Sequence, residues 1–349
     1  MIECRNLGKS YGTVQAVSEI SLSLDEHEFL SILGPSGCGK STLLRLIAGL
    51  EVPSQGQVFL HGQEISGRKI ILPPERRKFG MIFQDFALFP HLSVKDNVGY
   101  GAAGSKTEKQ QRVNELLELV SLPHLATKMP HQISGGEQQR IAVARALAPR
   151  PRLILMDEPF SNLDYQLRQQ LRRDIREILK HEGVATVLVT HDQVEAITFS
   201  DRMLLMQKGK VVQEGTPAEI YQNPQTIWTS SFVGEANHLP VEWQNDSLKT
   251  PLGELNVPFE IGRNARIMMV RPEDFKLESV PADQANGIVK SVDFSGSVQN
   301  VGVLLKSGAS VQVSGSPHLL WNQEDSVKIT AERYLCFNSS GNRLNGIPE

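Results

Sequence analysis

An eight-residue glycine-rich segment at 34–41, GPSGCGKS, places the strongest constraint on how this chain can fold. It fits the pattern G-x-x-x-x-G-K-[ST] in full, follows an apolar run at 29–33 and opens an amphipathic helical pattern at 40–50. The pattern needs a strand, a loop and a helix in succession, because backbone N–H groups and the helix N-terminus bind phosphate together. The segment therefore predicts a nucleotide-binding α/β domain.

The residues of this loop have distinct predicted roles. Lys40 is expected to reach the β- and γ-phosphates, and the Ser41 hydroxyl to ligate Mg²⁺. We predict nucleotide contacts along the whole loop and the residue after it, from Gly34, Pro35, Ser36, Gly37, Cys38, Gly39, Lys40, Ser41 and Thr42. Cys38 carries a side hypothesis: a helix N-terminus lowers a thiol pKa, so Cys38 would act as a redox brake. The simpler interpretation is a small filler residue.

Short apolar runs recur along the first two thirds of the chain. Those at 29–33, 153–156 and 185–189 are nearly continuous, which is typical of strands buried on both faces. Helical patterns at 108–120 and 165–181 lie between or beside them, so we predict a layered α/β core with a parallel sheet.

Two acids follow the second of these runs. Ligands bind at the carboxyl ends of parallel strands, so Asp157 is expected to help hold Mg²⁺, directly or through water. Glu158 is expected to act as general base on the attacking water. Acids at such a place could instead only cap the next element, but the phosphate loop favours the catalytic interpretation.

Further motifs resemble the ATP-binding cassette (ABC) family, and the resemblance spans residues 1 to about 235. ISGGEQ at 133–138 looks like the family's signature segment, usually LSGGQ, from which it departs at Ile133 and Glu137. SNLD at 161–164 resembles the D-loop. Other matches are the adenine-stacking aromatic residue, the Q-loop glutamine and the switch histidine, here Tyr11, Gln84 and His191.

The resemblance implies an ATPase that uses ATP and Mg²⁺ and works as a homodimer of cassettes. ATP held by the Lys40 loop of one copy would be covered by the signature segment of the other. Gln84 would sense Mg²⁺ and the attacking water, and His191 would steady the γ-phosphate and the water. The helical subdomain is expected at about 85–150, with further nucleotide contacts from Ser134, Gly135, Gly136, Glu137 and Asp164.

Near residue 235 the pattern changes. Short apolar segments at 265–270, 287–292, 298–305 and 327–330 are separated by Gly, Ser, Pro and Asn. They predict a small all-β, barrel-like domain, so we assign a cassette at 1–235 and an accessory domain at 236–349. The segment VRPE at 270–273 resembles the Arg-Pro-Glu segment of the TOBE/OB-like domain in importer ATPases of the maltose, polyamine, molybdate and ferric-iron group.

Composition and resemblance together limit the partners. The chain has 39 acidic and 36 basic residues, for a net charge of −3. A nucleic-acid-binding surface would need an excess of basic residues, so no nucleic-acid partner is expected. No apolar run approaches the roughly 18 residues of a membrane span, and no signal peptide is evident. We expect a peripheral subunit on the cytoplasmic face of the inner membrane. The resemblance implies two separate transmembrane permease subunits and, indirectly, a periplasmic or surface solute-binding protein.

An aromatic-rich segment at 83–98 is the predicted groove for a permease helix, with a plain core segment as the alternative. The predicted function is the ATP-hydrolysing subunit of a binding-protein-dependent importer. Its cargo resembles that of the ferric-iron branch, while polyamine, sugar or sugar phosphate, thiamine, and sulfate or molybdate stay open. A soluble non-transport ABC ATPase is the alternative class, disfavoured by the single phosphate loop and the lack of a coiled-coil insertion. The tail could also be a regulatory module.

Overall fold

The computed structural model describes residues 1–67, 70–161 and 165–345, in two compact units, Met1–Glu219 and Ile220–Glu349. The sequence prediction places the boundary at 235/236 instead. Residues 221–235 are held within the second unit because Arg271 donates hydrogen bonds to the carbonyls of Tyr221, Ser230 and Gly234. The assignment of 1–235 as the cassette stays a prediction. Asp164 lies outside the described residues, and its contact with the nucleotide stays a prediction.

The first unit alternates strands and helices after an initial pair of strands. Its strands are β1 Ile2–Tyr11, β2 Val14–Leu24, β3 Phe29–Leu33, β4 Gln55–Leu60, β5 Gln63–Ser66, β6 Phe79–Ile82, β7 Leu153–Asp157, β8 Ala185–Thr190, β9 Arg202–Gln207 and β10 Lys210–Gly215. Its helices are α1 Lys40–Ala48, α2 Pro74–Arg77, α3 Val94–Gly99, α4 Lys106–Leu119, α5 Gly135–Leu147, α6 Tyr165–His181 and α7 Gln193–Phe199; α8 Pro217–Gln222 follows.

A six-stranded sheet in the order β10-β9-β3-β8-β7-β6 forms the centre of this unit. β9, β3, β8, β7 and β6 run parallel, whereas β10 is antiparallel at the edge. The register pairs Leu33 with Thr190, and Asp157 with Val189. The carboxyl ends of β3, β8 and β7 therefore meet at one edge of the sheet.

The two faces of the parallel sheet are covered by different layers, which explains the continuous apolar runs. Leu153 and Leu155 of β7 join the core beneath α1 and β1, whereas Ile154 and Met156 join the core formed with α3 to α6. Side chains alternate between faces along a strand, so a strand buried on both sides needs apolar residues throughout. The predicted parallel α/β core is confirmed.

A second, antiparallel sheet in the order β2-β1-β4-β5 also belongs to the first unit, and the sequence analysis does not foresee it. The pairing of β1 with β2 shifts register three times, between Cys4 and Leu7 and at two later places. Such irregularities interrupt a period-two pattern and hide the strands from the sequence. Cys4, Leu7 and Ile20 from this sheet are buried in the core with α1.

The second unit is mostly β. Its strands are β11 Asn237–Pro240, β12 Glu242–Gln244, β13 Ser247–Thr250, β14 Gly253–Leu255, β15 Ile267–Val270, β16 Phe275–Ser279, β17 Gly287–Phe294, β18 Gln299–Leu305, β19 Ser310–Gly315, β20 Ser326–Ala331 and β21 Leu335–Phe337. They form sheets in the orders β11-β15-β21, β12-β13-β14 and β16-β20-β17-β18-β19. Two short helices, α9 Ile227–Phe232 and α10 Phe259–Asn264, accompany them. The predicted β-rich tail is confirmed.

Candidate functional site

The glycine-rich loop joins β3 to α1 as predicted, and its glycines serve different purposes. Gly37 has a φ of 77°, and a Cβ added there would meet nothing within 4 Å, so its backbone stays open to a ligand. Gly39 has a φ of 104°, and an added Cβ would lie 2.1 Å from the Ala16 carbonyl oxygen. At Gly34 an added Cβ would lie 2.3 Å from the Met206 carbonyl oxygen. Gly34 and Gly39 therefore fit the loop against its neighbours.

Lys40 begins α1 and is 4% exposed. Its ammonium group donates hydrogen bonds to the carbonyls of Gly34 at 2.8 Å and Pro35 at 3.1 Å. The charge therefore lies inside the turn of the loop, beside the backbone N–H groups at the start of the helix. A phosphate entering the loop meets this cation and the helix N-terminus from the same direction.

Ser41, the residue after Lys40, links the loop to the acidic residues at the end of β7. Ser41 Oγ donates a hydrogen bond to Asp157 Oδ1 at 2.8 Å, across the carboxyl ends of β3 and β7. Both side chains are half-buried, as is Thr42. A hydroxyl and a carboxylate at this separation form a set of hard oxygen donors, which suits a small divalent cation.

Glu158 and His191 form the second pair of the site. His191 Nδ1 lies 3.0 Å from Glu158 Oε2, and the Glu158 N–H donates to the Val189 carbonyl at 2.9 Å. Glu158 adopts a left-handed φ of 47°, which costs a non-glycine residue on the order of 1–2 kcal/mol. Ser161 Oγ stabilises this turn by donating to the Glu158 carbonyl at 3.0 Å. Strain at such a place is typical of functional sites.

Gln84 and Tyr11 approach the site from other elements. Gln84 is exposed two residues beyond β6, whose last residue, Ile82, pairs with Met156 next to Asp157. Tyr11 is 45% exposed at the end of β1, in the hairpin that leads to β2 and to the Ala16 carbonyl beside the loop. The fold thus brings both predicted residues toward the loop and the ends of the parallel strands.

The signature segment begins α5 with a capping box. Ser134 Oγ accepts the Glu137 N–H at 3.4 Å, and the Glu137 carboxylate accepts the Ser134 N–H and the Ser134 hydroxyl, both at 2.7 Å. The Ser134 hydroxyl and N–H thereby lower the pKa of Glu137. Glu137, one of the two residues that depart from the usual signature, therefore stabilises the start of the helix.

The two signature glycines differ in their surroundings. Gly136 is buried, and an added Cβ would lie 3.0 Å from Leu171 Cδ1 and 3.1 Å from Leu167 Cδ2. Gly136 therefore allows α5 to pack closely on α6. Gly135 is half-buried and follows the exposed Ser134 at the helix N-terminus, where the backbone N–H of Gly135 can meet an anion.

The premise of the Cys38 redox hypothesis is wrong. Cys38 is 5% exposed, and burial raises the pKa of its thiol, although the Lys40 charge acts in the opposite direction. The helix N-terminus was expected to lower that pKa. Desolvation disfavours the thiolate more than the nearby charges favour it.

The aromatic segment at 83–98 divides between core and surface. Phe86 is 7% exposed and belongs to the core, whereas Phe83 is 37% exposed. Phe89 packs on Tyr100 with ring centroids 4.4 Å apart, and Asn97 Nδ2 holds the intervening loop through the Phe89 and Leu92 carbonyls. The permease groove stays a prediction for the exposed part.

Thr190, Asp192 and Glu195 surround His191, and the sequence analysis does not single them out. Asp192 accepts the Glu195 N–H at 2.9 Å as the N-cap of α7. The available signal is the spacing Asp-x-x-Glu directly after an apolar strand, which is the pattern of a helix start.

Together, the strand–loop–helix, the Ser41–Asp157 pair and the Glu158–His191 pair define a P-loop nucleoside triphosphatase. Comparison with known families narrows this class. The family model described as "ABC transporter" matches residues 17–161, and that described as "TOBE domain" matches residues 268–337.

Similar proteins cover most of the chain. The "Fe(3+) ions import ATP-binding protein FbpC" of Pseudomonas fluorescens is 44% identical over 84% of this chain and 84% of its own length. "Fe(3+) ions import ATP-binding protein FbpC 2" of Pectobacterium atrosepticum is 41% identical over 86% and 88%. The FbpC protein of Serratia marcescens is 40% identical over 89% and 91%. The chain therefore belongs to the ATP-binding proteins of the ABC transporter family, and it is an ATPase.

Solved structures match the cassette. The ATP-binding cassette MJ0796, in a dimeric post-hydrolysis state bound to ADP and Pi, is 34% identical with a TM-score of 0.54. The match covers 62% of this chain and 99% of that one. The cbiO1 protein of Clostridium perfringens, part of the ABC transporter complex cbiONQ, is 29% identical with a TM-score of 0.59, over 64% and 90%.

Proposed function

We propose that this chain is the ATP-hydrolysing subunit of a binding-protein-dependent ABC importer whose cargo is ferric iron. The observation that carries the proposal is the meeting of two pairs, Ser41–Asp157 and Glu158–His191, at the carboxyl ends of β3, β7 and β8. These pairs flank the phosphate loop and supply what phosphoryl transfer to water needs.

ATP binds with its phosphates in the loop at 34–41 and with its adenine on the exposed ring of Tyr11. Ser41 and Asp157, with Gln84 close by, would hold Mg²⁺, whose charge neutralises the phosphate oxygens. Lys40 exchanges a carbonyl partner for a phosphate oxygen. The hydroxyl of Ser41, its carboxylate partner and the exposed amide of Gln84 fit an oxygen-liganded cation.

Hydrolysis is assigned to Glu158 and His191. Glu158 accepts a proton from the attacking water as it adds to the γ-phosphorus, and the bond to the leaving ADP oxygen breaks. His191 Nδ1 lies 3.0 Å from Glu158 Oε2 and holds the carboxylate in place. The other ring nitrogen of His191 would contact the γ-phosphate. Gln84 orients the water. The strained turn at Glu158 fixes the base before substrate arrives.

Two copies enclose ATP. Ser134 and Gly135 are accessible at the N-terminus of α5, so in a head-to-tail dimer they can cover the γ-phosphate held by Lys40 of the other copy. Glu137 keeps that helix start in shape. ATP favours the closed dimer because it contacts both copies, and hydrolysis removes this differential affinity.

The partners proposed are two separate transmembrane permease subunits and, through them, a solute-binding protein outside the membrane. No helix among residues 1–67, 70–161 and 165–345 has the length and apolarity to cross a bilayer. The chain is proposed to attach to the cytoplasmic face of the inner membrane through its permeases, with Phe83 in the contact. No nucleic-acid partner is proposed.

Ferric iron is proposed as the cargo because the relatives described above are named as Fe(3+) import proteins. No residue of the described chain needs to touch the cargo, so the assignment rests on likeness along most of the chain. Polyamine, sugar or sugar phosphate, thiamine, and sulfate or molybdate are the alternative cargoes, and a soluble ABC ATPase is the alternative class.

The test uses the purified full-length chain assembled with its genomic permease and binding-protein partners in vesicles. Ferric-iron-loaded binding protein should stimulate ATP hydrolysis several-fold and drive uptake of radioactive iron, both abolished by Glu158→Gln. Stimulation by another solute with none by iron would reassign the cargo. ATPase activity that never responds to permease or binding protein would favour the soluble class. Ser134→Arg should spare ATP binding yet prevent closure.

A further inference from the structure

The hydroxyl of Thr190 is inserted into the cap of helix α7. In an ordinary capping box, the carboxylate at the third helical position accepts the N–H of the N-cap residue directly. Here the Asp192 N–H donates to Thr190 Oγ1 at 3.0 Å, and Thr190 Oγ1 donates to Glu195 Oε2 at 2.6 Å. Asp192 Oδ1 completes the ring by accepting the Glu195 N–H at 2.9 Å.

This relayed cap encloses His191 on both sides. Thr190 is the last residue of β8 and is 1% exposed, Asp192 is the N-cap of α7, and His191 is the single residue between them. The Thr190 hydroxyl has one proton, which it gives to Glu195, so its lone pairs face the Asp192 N–H. The two hydrogen bonds together fix the backbone on either side of the histidine.

Both carboxylates of this cap, those of Glu195 and Asp192, interact with arginines. Glu195 is 2% exposed, and burial raises its pKa, whereas the Thr190 hydroxyl and the charges of Arg168 and Arg172 act in the opposite direction. Asp192 Oδ2 lies 3.5 Å from Arg168 Nη1, and Arg168 Nη2 donates to the Ser161 carbonyl at 3.4 Å. Ser161 in turn stabilises the turn at Glu158.

We infer that Thr190 and Glu195 are positioning residues for His191, holding its ring within reach of Glu158. The Thr190 hydroxyl hydrogen bonds to Glu195 and to the Asp192 N–H rather than to the side chains of the Glu158–His191 pair. A helix cap alone would not need this hydroxyl, because Glu195 could accept the Asp192 N–H itself. Because Thr190 is the last residue of β8, its hydroxyl extends the hydrogen-bonded cap to the end of the strand, and His191 lies within the cap. The inference rests on the role proposed above for His191.

The experiment compares Thr190→Val with Thr190→Ser in the full-length protein. We expect Thr190→Val to lower kcat about tenfold to a hundredfold while the Kd for ATP changes less than about twofold, because a misplaced group slows turnover without weakening binding. Thr190→Ser, which keeps the hydroxyl, should retain kcat within about threefold. Thr186→Val is the matched control: the same change in the same strand, also fully buried, away from His191.

A double-mutant cycle separates positioning from simple stability. In a His191→Ala background, Thr190→Val should cost no further kcat, since the group it positions is gone. An equal loss in both backgrounds would overturn the inference, as would wild-type kcat in Thr190→Val. If Thr190→Val does not fold, the pair Glu195→Gln and Glu195→Ala decides: the amide oxygen can still accept from Thr190, so only Glu195→Ala should lose turnover.

A readout independent of turnover keeps this inference apart from the proposed function. In ¹⁵N-histidine-labelled protein, the ring resonance of His191, assigned by its loss in His191→Ala, should shift in Thr190→Val and not in Thr186→Val. An unshifted resonance would refute the positioning role. Full ATPase activity in His191→Ala would instead refute the role proposed for His191, whatever the resonance shows.

Discussion

Ser41 Oγ donates a hydrogen bond to Asp157 Oδ1 at 2.8 Å, joining the start of α1 to the end of β7, 116 residues apart in the chain. Neither residue is near the other in sequence, and the parallel register brings them together. A cation bound to the oxygen lone pairs of both groups would replace this hydrogen bond, and the Ser41 hydroxyl would keep its proton.

Asp157→Asn should weaken ATP binding only when Mg²⁺ is present. The amide keeps the size of the side chain and can still accept from Ser41, but it lacks the negative charge that a divalent cation needs. We expect the Kd for ATP with Mg²⁺ to rise about tenfold, and the Kd in EDTA to stay unchanged. Asp201→Asn, at an ion pair on the surface, is the matched control. An equal effect in EDTA would contradict the prediction.

Glu158→Gln should retain ATP binding and lose turnover about a hundredfold or more, because the amide cannot accept the proton of the attacking water. Light scattering after size exclusion should then show a dimer in Mg-ATP that wild-type protein forms only transiently. Glu177→Gln on the exposed face of α6 serves as the control. Undiminished ATPase activity in Glu158→Gln would show that another group is the base.

Glu137→Ala should destabilise the protein by about 1 kcal/mol at pH 7, the usual worth of a cap. The folded state lowers the pKa of Glu137, so its contribution is present above the ordinary carboxyl pKa of about 4.3. The contribution is lost as the pH falls through the folded-state pKa. Urea unfolding at pH 7 and near pH 4 should show the gap to wild type shrinking with acid. Glu118→Ala, exposed on α4, should show no such gap.

How much of this molecule is predictable from its sequence depends on the range of the contacts. The strands at 29–33, 153–157 and 185–190 can be predicted from the sequence, because burial on both faces requires unbroken apolar runs. The phosphate loop can be predicted equally well, since its conformation is determined by residues that are adjacent in the sequence. The register pairs Asp157 with Val189, and Glu158 meets His191 at the same edge of the sheet, while their roles toward the nucleotide stay predictions.

The features that sequence reasoning misses depend on partners far along the chain. Gly136 is small because Leu167 and Leu171 press on it, and no pattern near Gly136 encodes that contact. The pKa of Cys38 follows from burial rather than from the adjacent helix start. The first antiparallel sheet escapes notice because register shifts break its alternation.

All three cysteines, Cys4, Cys38 and Cys336, should resist modification in the folded protein. Each is buried, and burial raises the pKa of Cys4 and of Cys336 to about 12, so thiolate is scarce at neutral pH. Titration with an aromatic disulfide reagent at pH 7 should be slow in native protein and stoichiometric for three thiols in guanidinium chloride. Fast reaction of one thiol that Cys38→Ala removes would restore the redox hypothesis.

Arg271→Lys should unfold the second unit at lower urea concentration. Arg271 is 3% exposed, and its guanidinium donates to the carbonyls of Ser230, Gly234, Glu235 and Tyr221 at 2.8 to 3.1 Å, a span that one ammonium group cannot cover. We expect a loss of about 2–4 kcal/mol, because a lysine can keep only some of these hydrogen bonds and each bond from a charged donor contributes about 1.5–3 kcal/mol.

The three tryptophans, Trp228, Trp243 and Trp321, all belong to this unit, so their fluorescence reports its unfolding directly. Arg263→Lys, an exposed arginine in the same unit, should leave the transition in place. ATP affinity should be the same in wild type and Arg271→Lys. A transition unchanged in Arg271→Lys would show that the carbonyl contacts contribute little.

The ammonium of Lys40, held by the carbonyls of Gly34 and Pro35, bears on how quickly the site can be filled. A long flexible side chain normally surrenders its rotamer freedom when a ligand arrives. Here that freedom is already lost on folding, and the incoming triphosphate only swaps one oxygen for another around the same nitrogen. The rate of nucleotide binding is then set by the diffusion and desolvation of the nucleotide, because the loop already has its binding conformation.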